Sequence, residues 1–209
     1  MKRRFLVLFV FAALLAAADL PKVTYSKAFP GSVPAYVEIE ISSDGKAIYR
    51  EMPNDPNPIA YQMPEDDTKA IFELCDRLEH FKRPLDANLK VAFMGKKTFK
   101  YLNGAEKSET TFNYSQNEDA KLLLDRFEKV SETQSLYFDL ERTMRFDKLG
   151  VHKSLLQIEI ALDKKRLIGG ERFLPLLDRI AKNETYMHMA RERAAALADF
   201  FRKDKAKAE

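Results

Sequence analysis

The side chains that most often carry out chemistry are few in this sequence. Its 209 residues include three histidines (His80, His152 and His188) and one cysteine, Cys75. The most suggestive grouping is Met187-His188-Met189, because thioethers beside an imidazole form a donor set that suits monovalent copper. On a helix, however, successive side chains diverge by about 100°, so three neighbours cannot close on one ion. Glu184, His188 and Glu192 do fall on one helical face at i, i+4 and i+8, a spacing that surface ion pairs explain equally well. His80 stands where a helix is expected to end, and a cation there offsets the helix dipole. His152 opens a helix with no ligand at metal spacing. Cys75 lies among Ile71, Leu74 and Leu78, an apolar setting that disfavours the thiolate, so it reads as a core residue.

Longer signatures are missing as well. The chain contains no H-E-x-x-H, G-x-S-x-G, P-loop, C-x-x-C or G-x-G-x-x-G, the motifs that would announce a metalloprotease, serine hydrolase or nucleotide enzyme. Seven glycines offer little material for a phosphate-cradling loop. No catalytic residue, metal or cofactor is assigned, and the binding residues are left unknown.

The elements that would position any site begin after an export signal. Lys2-Arg3-Arg4 precede an unbroken apolar run from Phe5 to Ala18, followed by Asp19. The basic start, short apolar stretch and Ala16-Ala17-Ala18 end fit a secretory signal peptide over residues 1–18, with cleavage expected after Ala18. The run is shorter than the roughly 20 residues a membrane span needs, so no stable membrane insertion is expected after cleavage. The expected location is the periplasm or the extracellular space of a bacterium. Residues 1–18 contribute three basic and no acidic side chains, so their removal brings the formal net charge of +3 to zero. A global basic bias towards nucleic acid is therefore absent.

Residues 19–35 read as an extended leader. Tyr36 to Ser42 then alternates with Val37, Ile39 and Ile41 on one face, a half-buried strand. Asp44-Gly45 turns it back into a partner strand at Ala47 to Glu51. Residues 52–64 hold four prolines and form a stiff loop with a short edge strand at Ile59 to Gln62. Pro64 and Glu65-Asp66-Asp67 open a helix. A second pair of strands, Lys97 to Leu102 and Glu109 to Tyr114, flanks a lengthened turn at Asn103-Gly104. Ser115 to Glu118 is a capping box for the next helix. The fold class is α+β: an antiparallel sheet (ββα-ββα, residues 36–131) with its helices on one face. Residues 132–204 form an all-helical segment, a second small domain or a cap over the sheet. Residues 205–209 are expected to be a disordered tail.

Charge divides along the chain: residues 36–79 carry 11 acidic and 4 basic side chains, and residues 82–107 carry 7 basic and 2 acidic. Either the second hairpin presents a basic surface to an anionic partner, or Glu38 and Glu40 pair across the sheet with Lys97 and Lys100. Asn113-Tyr114-Ser115 and Asn183-Glu184-Thr185 match the glycosylation sequon.

The Val37–Ser42 strand, the Asp44-Gly45 turn, the helix ending Leu78-Glu79-His80-Phe81 and the Thr98-Phe99-Lys100-Tyr101 strand together resemble emfourin-type domains over residues 36–130. That family includes inhibitors of thermolysin-like metalloproteases, so the resemblance implies protease inhibition. The whole chain also resembles uncharacterised exported bacterial proteins. The expectation is a non-enzymatic exported protein that binds a protein or polysaccharide through its sheet edge or the 52–64 loop. One alternative is a hydrolase using Asp/Glu between sheet and cap. The other is a structural helper of an envelope assembly, marked by an apolar stripe along residues 184–201.

Overall fold

The segment from Lys22 to Ala28 alternates Val23 and Tyr25 with short polar side chains, and those two residues are buried. In the computed structural model, which describes residues 20–208, this segment is a strand, β1 (Lys22–Ala28). The expected signal segment and its cleavage site lie outside the described residues. The reading of 19–35 as a leader is thus corrected. Pro21, Pro30, Gly31 and Pro34 bracket the strand and hide an alternation that only two apolar residues carry.

The chain continues through β2 (Tyr36–Ser42), β3 (Lys46–Arg50), β4 (Ile59–Gln62), helix α1 (Glu65–Arg77), β5 (Lys96–Asn103) and β6 (Glu106–Phe112). The six strands form one antiparallel sheet in the order β4-β3-β2-β1-β5-β6. β1 therefore lies between the two expected hairpins and joins them. β4 forms at the edge expected for it. Asn103 faces Glu106 across the second hairpin, so its turn is the tight pair Gly104-Ala105 rather than a longer loop.

α1 opens as its acidic first turn requires but stops at Arg77. Glu79, His80 and Phe81 follow with φ of 51°, 54° and 64°, three successive left-handed residues in a region that side chains with a Cβ avoid. His80 is therefore not in a helix's last turn, as expected, but in a strained reversal after it.

α2 (Glu118–Phe146) is a single helix of 29 residues. Its cap is Asn117, whose Oδ1 accepts from the N–H of Ala120 at 3.0 Å. Ser115 instead accepts from the Asn117 N–H, which moves the expected capping box by two residues. Ala120, Leu123, Phe127 and Val130 face the sheet and share its core with Ile71, Leu74 and Cys75 of α1. Both helices thus cover one face. The other face is polar, as antiparallel sheets allow.

The boundary expected at residues 131/132 falls inside α2, which runs on into a second core through Leu140 and Met144. The apolar period lapses where the helix changes partners. There Thr133 accepts from the Ile168 N–H at 3.1 Å, and Gln134 accepts from Arg172 at 2.8 Å.

The second core is completed by α3 (Val151–Asp163), α4 (Leu174–Lys182) and α5 (His188–Ala208). α5 starts later than the expected Glu184, because Asn183 accepts from the N–H groups of Thr185 and Tyr186 in a turn that buries Tyr186. It also extends through residues 205–208 of the tail expected to be disordered, where lysine and alanine favour helix.

Arg172 clasps the two halves together. Its guanidinium lies 3.9 Å over the ring of Tyr61 on β4 and 5.2 Å from that of Tyr137 on α2.

Candidate functional site

The sequence-suggested groups do not converge. His188 pairs with Glu192 at 3.1 Å on the exposed start of α5, while Glu184 lies in the preceding turn and cannot share its helical face. Met187 and Met189 stand partly exposed on either side of His188. His152 receives a hydrogen bond from Arg193 at 2.9 Å, and Arg193 also pairs with Glu159 at 2.8 Å. His80 stacks face to face on Tyr101 at 4.0 Å and bonds Asp76 at 2.8 Å. Cys75 is fully buried, and burial pushes its thiol far above the usual range. Among the described residues, no group of three His, Cys, Asp or Glu side chains is placed to hold a metal ion.

The expected cross-sheet pairing is also different. β1 intervenes, so Glu40 pairs with Lys22 and Glu38 with Arg50. Lys100 pairs with Glu109 across the second hairpin. Lys97 and Lys100 are three residues apart and so face opposite sides of β5. Lys97 shares the inner face with Phe99 and Tyr101 and is only 4% exposed.

That inward lysine forms the floor of the site. Strand alternation aims its ammonium into the sheet's covered face, where it donates to the carbonyls of Asn113 (2.8 Å), Met94 (3.1 Å) and, more weakly, Gly95 (3.4 Å). Burial, with Lys27 beside it in register, lowers the pKa of Lys97. Above the floor lies a cavity of about 410 Å³, within the range of small-ligand sites. Phe112 and Lys97 form its base; Phe29 and Lys27 continue from the end of β1. The first turns of α2 supply Ala120, Lys121, Leu124 and Glu128 as one wall. Phe93 and Met94 overhang the opposite side, and Phe93 meets Phe29 edge-on at 5.8 Å. Lys27 pairs with Glu128 at 3.6 Å.

The overhang belongs to residues 82–95, a segment without regular structure that is held by a backbone bond from the Ala87 N–H to the Tyr114 carbonyl and otherwise mainly by side chains. Asp86 accepts the N–H groups of Asn113 and Asn88, both at 2.7 Å, and these bonds hold its carboxyl below the ordinary value of 3.8. The Asn113 side chain accepts from the Met94 N–H and donates to the Ala92 carbonyl. The asparagine of the sequon at 113 is thus a clamp on the loop. Gly95, at φ +92°, lets the loop close: a Cβ there would stand 3.0 Å from that of Phe29. Leu89, Val91, Phe93 and Met94 are left 50%, 42%, 57% and 41% exposed along this segment, and the last two line the cavity.

Sequence reasoning missed Lys27 inside the supposed leader. Lys97, expected on the exposed face, is on the buried one, which its spacing to Phe99 and Tyr101 already implies. Phe93 carried no periodic signal.

A second cleft, of about 500 Å³, lies between the N-terminus of α1 and the helical half. It gathers Glu65, Asp66, Asp67, Glu171 and Asp204, where a carboxylate hydrolase would have its site. Asp67 and Glu171 are half-buried and the other three exposed. Asp67 is already engaged by Arg126 at 3.0 Å, which leaves no free buried pair.

Among the clefts formed by the described residues, the cavity over Lys97 combines apolar walls, a buried cation and exposed apolar side chains at its edge. No family model matches the chain, and no curated protein matches it by sequence.

Proposed function

We propose that the chain is an exported, non-enzymatic binding protein and that the cavity over Lys97 is its ligand site. One observation carries this reading. An apolar cavity with a buried lysine at its floor is lined on one side by the exposed side chains of Phe93 and Met94. Exposed apolar groups that rim a concave site mark recognition rather than packing. The groups lining the cavity include no nucleophile set against a base, so the arrangement favours holding a ligand over transforming it. The test is binding of the neutral fluorophore N-phenyl-1-naphthylamine to the purified protein. Saturable binding at one site is expected, and Leu124→Trp, which fills the cavity from α2, abolishes it while leaving the urea unfolding transition cooperative. Absence of saturable binding, or an unaffected Leu124→Trp variant, would refute the reading.

A second reading keeps the macromolecular partner expected from the sequence and places it on β4. β4 is an end strand, and an end strand offers unpaired backbone groups to an added strand. The resemblance to emfourin-type domains belongs to this reading, and a thermolysin-like protease left at full activity would count against it.

A further inference from the structure

We infer that the ligand of this cavity is a single-chain anionic amphiphile, a fatty acid or a close chemical relative. The inference rests on the cavity being the ligand site and adds the charge and shape of what fills it. The lining carries three lysines, Lys27, Lys97 and Lys121, against one carboxylate, Glu128. Lys27 spends its charge on that carboxylate at 3.6 Å. Lys121 reaches Glu118 at 2.8 Å, but both side chains are exposed, so a ligand at the cavity mouth competes easily with that pair. Lys97 meets only carbonyl oxygens, which satisfy its donors without neutralising its charge. A wholly apolar ligand puts no negative charge beside Lys97 or the mouth lysine Lys121, which makes it a weaker binder than an amphiphile of the same length. An anionic head supplies that charge.

The remaining surface is the right kind for a hydrocarbon tail: Phe29, Phe93, Met94, Phe112 and Leu124 face the same space. At about 410 Å³ the cavity sits near the small end of ligand sites, which suits one chain better than the two chains of a phospholipid. Phe93 and Met94, which line the cavity and are 57% and 41% exposed, give the tail an apolar path from solvent.

The experiment displaces bound N-phenyl-1-naphthylamine from the full chain with decanoate, dodecanoate and tetradecanoate, and with the alcohols of the same lengths. Each carboxylate is expected to outcompete its alcohol about tenfold or more. Affinity should rise about fourfold per methylene until the cavity is full. A Lys27→Gln, Lys121→Gln double variant, both positions being partly exposed, should lower dodecanoate affinity about tenfold more than dodecanol affinity. Equal competition by acid and alcohol would overturn the inference while leaving the binding-site reading intact. So would a double variant that keeps the full preference, or a short apolar peptide that displaces the dye better than dodecanoate. Failure of the dye to bind at all would refute the site itself.

Discussion

At Lys97 the alternation of β5 puts a cation where Phe99 and Tyr101 put rings, and the surrounding chain meets it with carbonyls rather than an acid. Two of the carbonyls, those of Met94 and Gly95, are delivered by a loop whose order depends in part on Asp86. Its two N–H partners hold the Asp86 carboxyl below 3.8. A depressed carboxyl contributes stability that is present above the unfolded value and is lost as pH falls through the folded one. The amide resonances of Asn88 and Asn113 are therefore expected to titrate together with a midpoint below 3.8, followed by NMR. A midpoint at or above that value would show that Asp86 does not anchor the loop. The inward aim of Lys97 was legible from its spacing to Phe99 and Tyr101. The clamp made by Asn113 was not, because its partners Ala92 and Met94 are distant in sequence and carry no pattern.

Among the elements, the reversal at Glu79-His80-Phe81 departs most from local preference. Each left-handed residue with a Cβ costs roughly 1–2 kcal/mol, and tertiary contacts hold the turn against that cost. Phe81 is 1% exposed and stacks on Phe99 at 5.2 Å. His80 lies on Tyr101, and Ser108 donates to the His80 carbonyl. Glu79 makes only an exposed pair with Arg83, so Glu79→Gly removes strain and little else. Its net effect, after the greater freedom of glycine in the unfolded chain, is expected to lie between neutral and about 1 kcal/mol stabilising, measured by urea unfolding. A loss above about 1 kcal/mol would mean the turn is not strained at this position. Strands with three alternating apolar residues and helices with acidic starts were readable in the sequence. β1, with only two such residues between prolines, was not. Nor was the continuity of α2, because Thr133 and Gln134 are polar in sequence yet buried by the contacts they make.

Across the whole molecule, two cores are tied by α2 and by the Arg172 clasp. Arg172→Leu keeps much of the bulk but loses the stacking on Tyr61 and Tyr137 and the bond to the buried Gln134. A loss of about 2 kcal/mol is expected. Arg172→Lys should recover little of it, since an ammonium cannot stack as a planar guanidinium does. Parallel urea titrations of the three proteins would decide, and full rescue by lysine would reduce the clasp to a simple charge. The shared helix has a different consequence, which concerns how such a chain can vary. A residue inserted into or deleted from α2 rotates everything beyond it by about 100°. One such change between Val130 and Leu140 would swing the second core's apolar face away from its partners and part Thr133 and Gln134 from Ile168 and Arg172. The loops at 52–58 and 82–95 can change length and remain on the surface. α2 cannot, so related chains with this architecture should conserve the length of that helix more strictly than its composition.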